Sequence, residues 1–396
     1  MNVIVYVSDA LRADHVGCYG ARFVNTRTLD ELASAGARFD QVVAAAPWTA
    51  PSMTSLVTGL YAHRHGVFDW ARSLPEGSET AFSAFARAGY TVASYVFDVD
   101  FLFASIPEAN VRGRSGSLDS VIAWLRQHAG SPFFLLVHSW ATHMPYDVLS
   151  HGEGDWASAK RLFLERIQAN RADLLDDVRE SYRQAVERQS EVLVASLLQE
   201  LERLGLAEQT LFAFTADHGE SWGERFADKA AVSGVYHLHG AALYDEVLLV
   251  PLLIRAPGVV QPVSIPAQVR SVDLAPTLVE LAGLPAFPSD GESLVPLLSG
   301  GEGPDRLALS ATSDRGVVSQ ISARRPPWKV IRRVEPPEEE AYRIDADPRE
   351  RESRISEAPA DLRALLEREL ATMEPIAFSE EEEALISSRL ERLGYL

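Results

Sequence analysis

Pro47-Trp48-Thr49-Ala50-Pro51-Ser52-Met53-Thr54-Ser55-Leu56-Val57-Thr58-Gly59 decides how the rest of the chain is read. The apolar run 42–46 leads into it, and a helix-like segment closed by Gly59 follows. Thr49 falls where a helix N-cap is expected, and Pro51 lies in the first turn, where a missing N–H costs nothing. A hydroxyl at that point faces the positive end of a helix, a natural seat for a tetrahedral anion. Taken alone, Thr49 reads as a cap before it reads as a nucleophile, because caps are the commoner use of such a residue.

Other strand ends change that reading. Val3 to Val7 is a β-branched run of the kind buried in parallel sheets, and it stops at Ser8-Asp9-Ala10. Asp9 therefore sits at the carboxyl end of a strand, where open α/β sheets keep their ligands. Phe39 to Ala46 reads as the strand that delivers Thr49, and Leu211 to Phe214 as the strand that ends at Asp217-His218-Gly219-Glu220. Helices are expected over 28–35, 82–88, 118–128 and most of 155–204, and further strands over 91–97, 133–137 and 247–255. Pro251 suggests an edge position or a strand start in the last of these. Ser271 to Ala282 reads as a helix that is kinked at Pro276 or begins there.

Two carboxylates, an imidazole and a hydroxyl at converging strand ends suit one divalent cation held by Asp9, Thr49, Asp217 and His218. The mixed nitrogen and oxygen set favours zinc or manganese over calcium. Such an ion on Thr49 would lower the hydroxyl pKa and make it a nucleophile. Each piece also has a plainer use: Asp9 and Asp217 as turn caps, His218 as a hydrogen-bonded core histidine.

With 396 residues, 46% of them hydrophobic, the chain can bury one large core with an appendage. Its net charge of −19 argues against nucleic acid or an anionic membrane as the main partner. The single cysteine, Cys18, leaves no internal disulfide and no cysteine-based zinc site. No apolar run reaches membrane-spanning length and no basic leader precedes Asn2, so a soluble, cytoplasmic protein is expected. From about Gly300 the strands at 307–312, 317–322 and 328–334 no longer alternate with helices, which predicts a small antiparallel sheet. The acidic run 335–340 reads as a solvated loop, and 360–393 as a terminal helical region.

These segments together resemble the sulfatase branch of the alkaline phosphatase superfamily. The stretch from Asn2 through Asp9 to Gly20 is similar to the family's first strand and metal loop. Thr49-Ala50-Pro51-Ser52, Thr58-Gly59 and His63-Arg64-His65-Gly66 are similar to its nucleophile segment. His143-x-Pro145-Tyr146 resembles a substrate-binding loop, and Asp217-His218-Gly219-Glu220 with His239-Gly240 and 243–251 resembles the second metal segment. Val272-Asp273-Leu274-Ala275-Pro276-Thr277-Leu278, Tyr342 with Asp347-Pro348-x-Glu350, and the ending Leu393-Gly394-Tyr395-Leu396 resemble later landmarks. The resemblance implies an α/β fold, an α/β/α sandwich with a mostly parallel sheet plus a small C-terminal antiparallel sheet and terminal helix. The catalytic domain would be residues 1–300, with a subdomain of 301–396 packed on it.

The departures redirect the chemistry. Sulfatases carry a Cys or Ser, oxidised to formylglycine, where Thr49 stands; oxidation of threonine would give a ketone. Met53 replaces the following Arg, Ala10 replaces the second Asp of the first metal loop, and Val96-Phe97-Asp98 replaces a Lys-Trp-His segment. A threonine nucleophile resembles the superfamily's phosphodiesterases and phosphoethanolamine transferases. No segment completes the second zinc site of the former, although His239 with His237 or His143 offers ligands for one. The expectation is a one-metal hydrolase of small phosphate esters, monoester or diester, working through a phospho-threonine. His143 and His239 would hold phosphoryl oxygens or protonate the leaving group, and His65 would bind substrate or support the nucleophile loop. The alternatives are a phosphoryl transferase, a sulfate-ester hydrolase, and a catalytically silent binding protein on the same frame. Nothing in the sequence opposes a homo-oligomer.

Overall fold

A run of apolar residues that alternates with nothing polar has to be covered on both faces. The first strand, β1 (Asn2–Ser8), is buried at every position in the computed structural model. The structure describes residues 1–97, 99–113, 118–146, 172–222, 239–300, 303–314, 317–373 and 378–392. The start of the expected helix from Asp155, Asp98, His237 and the ending 393–396 lie outside these.

After β1 come β2 (Ala37–Val43), β3 (Thr91–Tyr95), β4 (Val111–Gly113), β5 (Phe133–Ser139) and β6 (Thr210–Ala216). β7 (Leu249–Val250), β8 (Leu252–Arg255) and β9 (Val263–Arg270) complete the large sheet. Its order is β4-β3-β5-β1-β6-β8-β2-β7, with β9 paired to β2. β1 is parallel to both of its neighbours, β5 and β6. β8 runs antiparallel to β6 and to β2. Two reversals restore direction, so β2 points the same way as β1, β5 and β6, and their carboxyl ends share one edge. β8 is interior, so Pro251 marks a strand start rather than an edge; its carbonyl accepts a bond of 2.8 Å from the Thr215 hydroxyl.

The helices fall into two groups that pack among themselves, as in an α/β/α sandwich. One group contains α1 (Arg27–Ser34), the helix Leu118–His128 and the long helical run 172–203. The other contains α2 (Thr49–Thr58) and the helices Ala81–Arg87 and Leu274–Leu281. Pro276 is the third residue of the last of these, which follows a 3-10 turn at Ser271–Asp273. A π turn at Gln189–Val194 interrupts the long run, and its residues receive the free N–H groups of α1: Glu191 Oε1 accepts from Thr28 N at 2.9 Å.

The smaller sheet has four antiparallel strands, β10 (Ala308–Asp314), β11 (Val317–Arg325), β12 (Trp328–Arg333) and β13 (Glu338–Arg343). β13 corrects the loop expected over 335–340 at residues 338–340, while 335–337 form a turn. Its acidic residues are paired: Glu338 with Arg333 at 2.6 Å, Glu339 with Arg332 and Arg363, and Glu340 with the Tyr244 hydroxyl at 2.7 Å. The terminal helical region divides into Ala360–Thr372 and Glu380–Arg392. Leu362 and Leu366 of the first pack on Ile321, Ala323 and Val330 of the small sheet. Among the described residues no helix is long and apolar enough to cross a membrane.

Candidate active site and metal centre

Because the strands end together, Asp9 follows β1, Asp217 and His218 follow β6, and Thr49 follows β2 through the loop 44–48. Asp9 N donates to Ser139 O at 2.8 Å, which continues the ladder one residue past the strand and fixes the carboxylate at the sheet edge. Ala10 then takes a left-handed turn, φ 57°, a conformation that costs an L-residue about 1–2 kcal/mol. The turn aims its N–H at Asp217 Oδ1, 3.2 Å away. His218 N donates to the same oxygen at 2.8 Å.

Thr49 corrects one detail of the expectation. The N-cap is Trp48, which is extended, and Thr49 is the first helical residue. Its hydroxyl makes no cap and lies instead 3.3 Å from Asp9 Oδ2 and 3.3 Å from His218 Nε2. Every residue of α2 is buried, Ser52 Oγ donates to Asp217 O at 2.5 Å, and the helix ends on Gly59 at φ 68°. A Cβ on Gly59 would also stand 2.8 Å from Ser289 Cβ, so both space and backbone demand glycine there.

Asp9, Asp217 and His218 are fully buried and could together hold a metal ion. His218 Nδ1 faces Gly219 O at 2.8 Å, so that nitrogen carries the proton and Nε2 presents its lone pair. Nε2 lies 3.5 Å from Asp9 Oδ1 and 3.5 Å from Asp217 Oδ2. Those two carboxylate oxygens are buried and accept no hydrogen bond among the described residues. Donors about 2.1 Å from a tetrahedral ion stand about 3.4 Å apart, so the donor set fits a cation. Electrostatics agree. Burial would raise the Asp9 carboxyl, but His143, His138 and His218 more than offset it and hold it below the ordinary range. Asp217 is raised, first by burial and then by the charge of Asp9. Two carboxylates here compete for ionisation until a positive charge joins them.

His143 and His239 stand beside this cluster. The His239 ring is 4.5 Å from that of His218 and 5.0 Å from that of His143, centroid to centroid. Trp140 stacks on His143 at 4.1 Å, and His143 Nδ1 faces Met144 O at 2.7 Å. His65 is not brought to the carboxylates. Its Nδ1 accepts from Val67 N at 3.1 Å and its Nε2 meets Ser55 Oγ at 3.1 Å, so it braces α2 from behind. Burial pulls its pKa down to about 3, which keeps it neutral.

Two residues escaped the sequence reading. Glu220 is fully buried and holds His239 Nδ1 at 3.0 Å through Oε1 and the Tyr146 hydroxyl at 3.0 Å through Oε2. Burial lowers the His239 pKa, but Glu220 beside it reverses the shift and raises it. His138 on β5 places Nε2 3.1 Å from Asp9 Oδ2 and 4.0 Å from Asp217 Oδ2. The signal for it was a lone imidazole at the end of the apolar run Phe133 to Val137, one strand away from Asp9.

The model of the sulfatase family matches residues 1–101 and 116–284, with the loop after β1, α2 and the loop after β6 inside the match. The chain belongs to the sulfatase family. A model of the N-sulphoglucosamine sulphohydrolase C-terminal region matches residues 237–375 of this sulfatase-family chain. An ulvan-active sulfatase of Formosa agariphila is 28% identical over 311 residues, which cover 76% of this chain and 58% of that protein. The chain thus spans less than two thirds of that relative's length. A phosphonate monoester hydrolase of Agrobacterium radiobacter shares the fold at TM-score 0.71 and 20% identity, over 94% of this chain and 95% of that one. So does a protein solved in complex with its substrate D-glucosamine-2-N,6-O-disulfate, at TM-score 0.74 and 20% identity, over 94% of this chain and 99% of that one.

Proposed function

We propose that this chain is a metal-dependent hydrolase of small phosphate esters in which Thr49 is the nucleophile. The observation that carries the reading is the Thr49 hydroxyl, uncommitted to its own helix and 3.3 Å from both Asp9 and His218. Asp9, Asp217 and His218 would hold the cation, whose positive charge would favour the ionised hydroxyl and a phosphoryl oxygen beside it. Thr49 Oγ1 attacks phosphorus in line with the leaving oxygen; the Oγ–P bond forms as the P–O bond to the leaving group breaks. Asp9 Oδ2, 3.3 Å from the hydroxyl, would take its proton, and His239, whose pKa Glu220 raises, would give one to the leaving oxygen. Water then attacks the phospho-threonine and gives a proton back to His239, the Oγ–P bond breaks, and Thr49 recovers its proton from Asp9. His143 faces the same space and would hold a non-bridging oxygen.

A sulfate ester is the second reading, favoured by the similarity to the ulvan-active sulfatase. Against it stand Thr49, which has no route to an aldehyde, and Met53, fully buried where the family places an arginine. Metal-analysed protein assayed on aryl phosphate monoester, diester and sulfate, wild type beside Thr49→Ala, separates the two. Phosphate-ester turnover should fall about 10³-fold or more in the variant while metal content stays within twofold. Undiminished turnover in Thr49→Ala, or turnover of the sulfate alone, would overturn the phospho-threonine mechanism.

A further inference from the structure

We propose that His138 is a further protein ligand of the cation. The donor set is then two carboxylates and two imidazoles, which selects a first-row transition ion over Ca²⁺ and Mg²⁺. This rests on the reading of Asp9, Asp217 and His218 as the metal centre and adds to it a residue on another strand.

The geometry has three parts. Val7 of β1 pairs with His138 of β5 and with Thr215 of β6. Side chains alternate along strands, so the residues two beyond Val7 and Thr215, Asp9 and Asp217, lie on the face that carries His138. Second, the His138 Nε2 atom approaches both carboxylates, Asp9 Oδ2 at 3.1 Å and Asp217 Oδ2 at 4.0 Å. A residue that only oriented Asp9 from outside would have no reason to approach the second carboxylate. Third, His138 is fully buried within a central strand whose neighbours are paired on both sides, so the ring cannot swing away. Thr49 approaches Asp9 from the start of α2, His218 from the loop after β6, and His138 from the sheet.

Ligand chemistry then sets the preference. Calcium and magnesium take oxygen donors almost alone, whereas imidazole suits zinc and its first-row neighbours. Ala10, where the resemblance led to expect an acid, supplies no oxygen ligand from its side chain; the missing donor is replaced by a nitrogen.

The test uses the full chain, stripped with a chelator and titrated with Zn²⁺, Co²⁺, Ca²⁺ and Mg²⁺ against a chromophoric competitor. His138→Gln keeps an N–H that can reach Asp9, and His138→Ala does not. Both should lose about 10³-fold or more in Zn²⁺ affinity and change the visible Co²⁺ bands, because loss of an outer partner costs only about 10–100-fold. On the wild type, electron spin-echo modulation of bound Cu²⁺ should count two coordinated imidazoles, a readout that needs no variant to fold. One imidazole, or His138→Gln with wild-type Zn²⁺ affinity and Co²⁺ spectrum, would overturn the inference and leave the metal centre standing. A wild type that binds none of the ions would overturn both.

Discussion

Asp217 is held in a conflict that a single atom can relieve. Its Oδ1 accepts from Ala10 N and His218 N, and its Oδ2 sits buried near the charge of Asp9, without a donor among the described residues. Asp217→Asn keeps the first oxygen and its two bonds and removes the repulsion. The metal-free variant should melt a few degrees above the metal-free wild type, about 1 kcal/mol more stable, and gain nothing from added Zn²⁺. Thermal melts with and without chelator check this; a lower melting point for the metal-free variant would refute it. At this scale the positions of Asp9, Thr49, Asp217 and His218 were legible because strand ends in one sheet converge whatever the loops do. His138 was not legible in the same way. Its meaning depends on the register Val7 to His138, and register is a property of two strands rather than of either sequence.

The element that presents Thr49 is short, and neighbours hold it. α2 spans ten residues, too few to be stable alone; Thr54 and Thr58 bond back to its own carbonyls, while Ser52 and Ser55 reach outward, to Asp217 O and to His65. His65 Nδ1 can accept from Val67 N only while the ring is neutral, because a proton on Nδ1 would face that N–H. Its pKa falls from the ordinary 6.5 to about 3 on folding, through burial, so the unfolded chain binds the extra proton first. Its share of stability is complete above pH 6.5 and drains away as the pH falls toward 3. A His65→Gln variant should be less stable at pH 7.5 yet lose less between pH 7 and pH 5 than the wild type. Melting temperature against pH measures the difference, and parallel curves would count against it. Two element-scale expectations moved for physical reasons. The cap shifted from Thr49 to Trp48 because the threonine side chain is drawn to Asp9, and the second half of the acidic run, 338–340, entered β13, where Arg332, Arg333 and Arg363 neutralise Glu338 and Glu339.

Across the whole molecule the two sheets are joined by buried charge. Lys329 on β12 contacts Asp245 at 2.7 Å and Glu350 at 2.8 Å, and Arg324 on β11 holds Asp245 through two nitrogens at 3.0 and 3.1 Å. Lys329 is fully buried, so Lys329→Met leaves two carboxylates facing one guanidinium. The loss should be about 3–5 kcal/mol, read from denaturant unfolding of the whole chain. A loss below about 1 kcal/mol would mean the cluster is dispensable. The change of texture near Gly300 was legible from the strand spacing; this ion cluster was not, because its members come from separate stretches of the chain.

The small sheet also reaches the loop that carries Thr49. Ser310 Oγ donates to Ala44 O at 2.7 Å, Ala311 N donates to Ala45 O at 3.1 Å, and Thr312 Oγ1 donates to the carbonyl of Gly240, next to His239. Ser310 follows Ala44 by 266 residues. A ribosome therefore exposes the segment around Thr49 long before it makes the strand that holds that segment in place. The Thr49 hydroxyl acquires these surroundings only after some 266 further residues have been made, and a shorter nascent chain carries the chemical groups of the site without their arrangement.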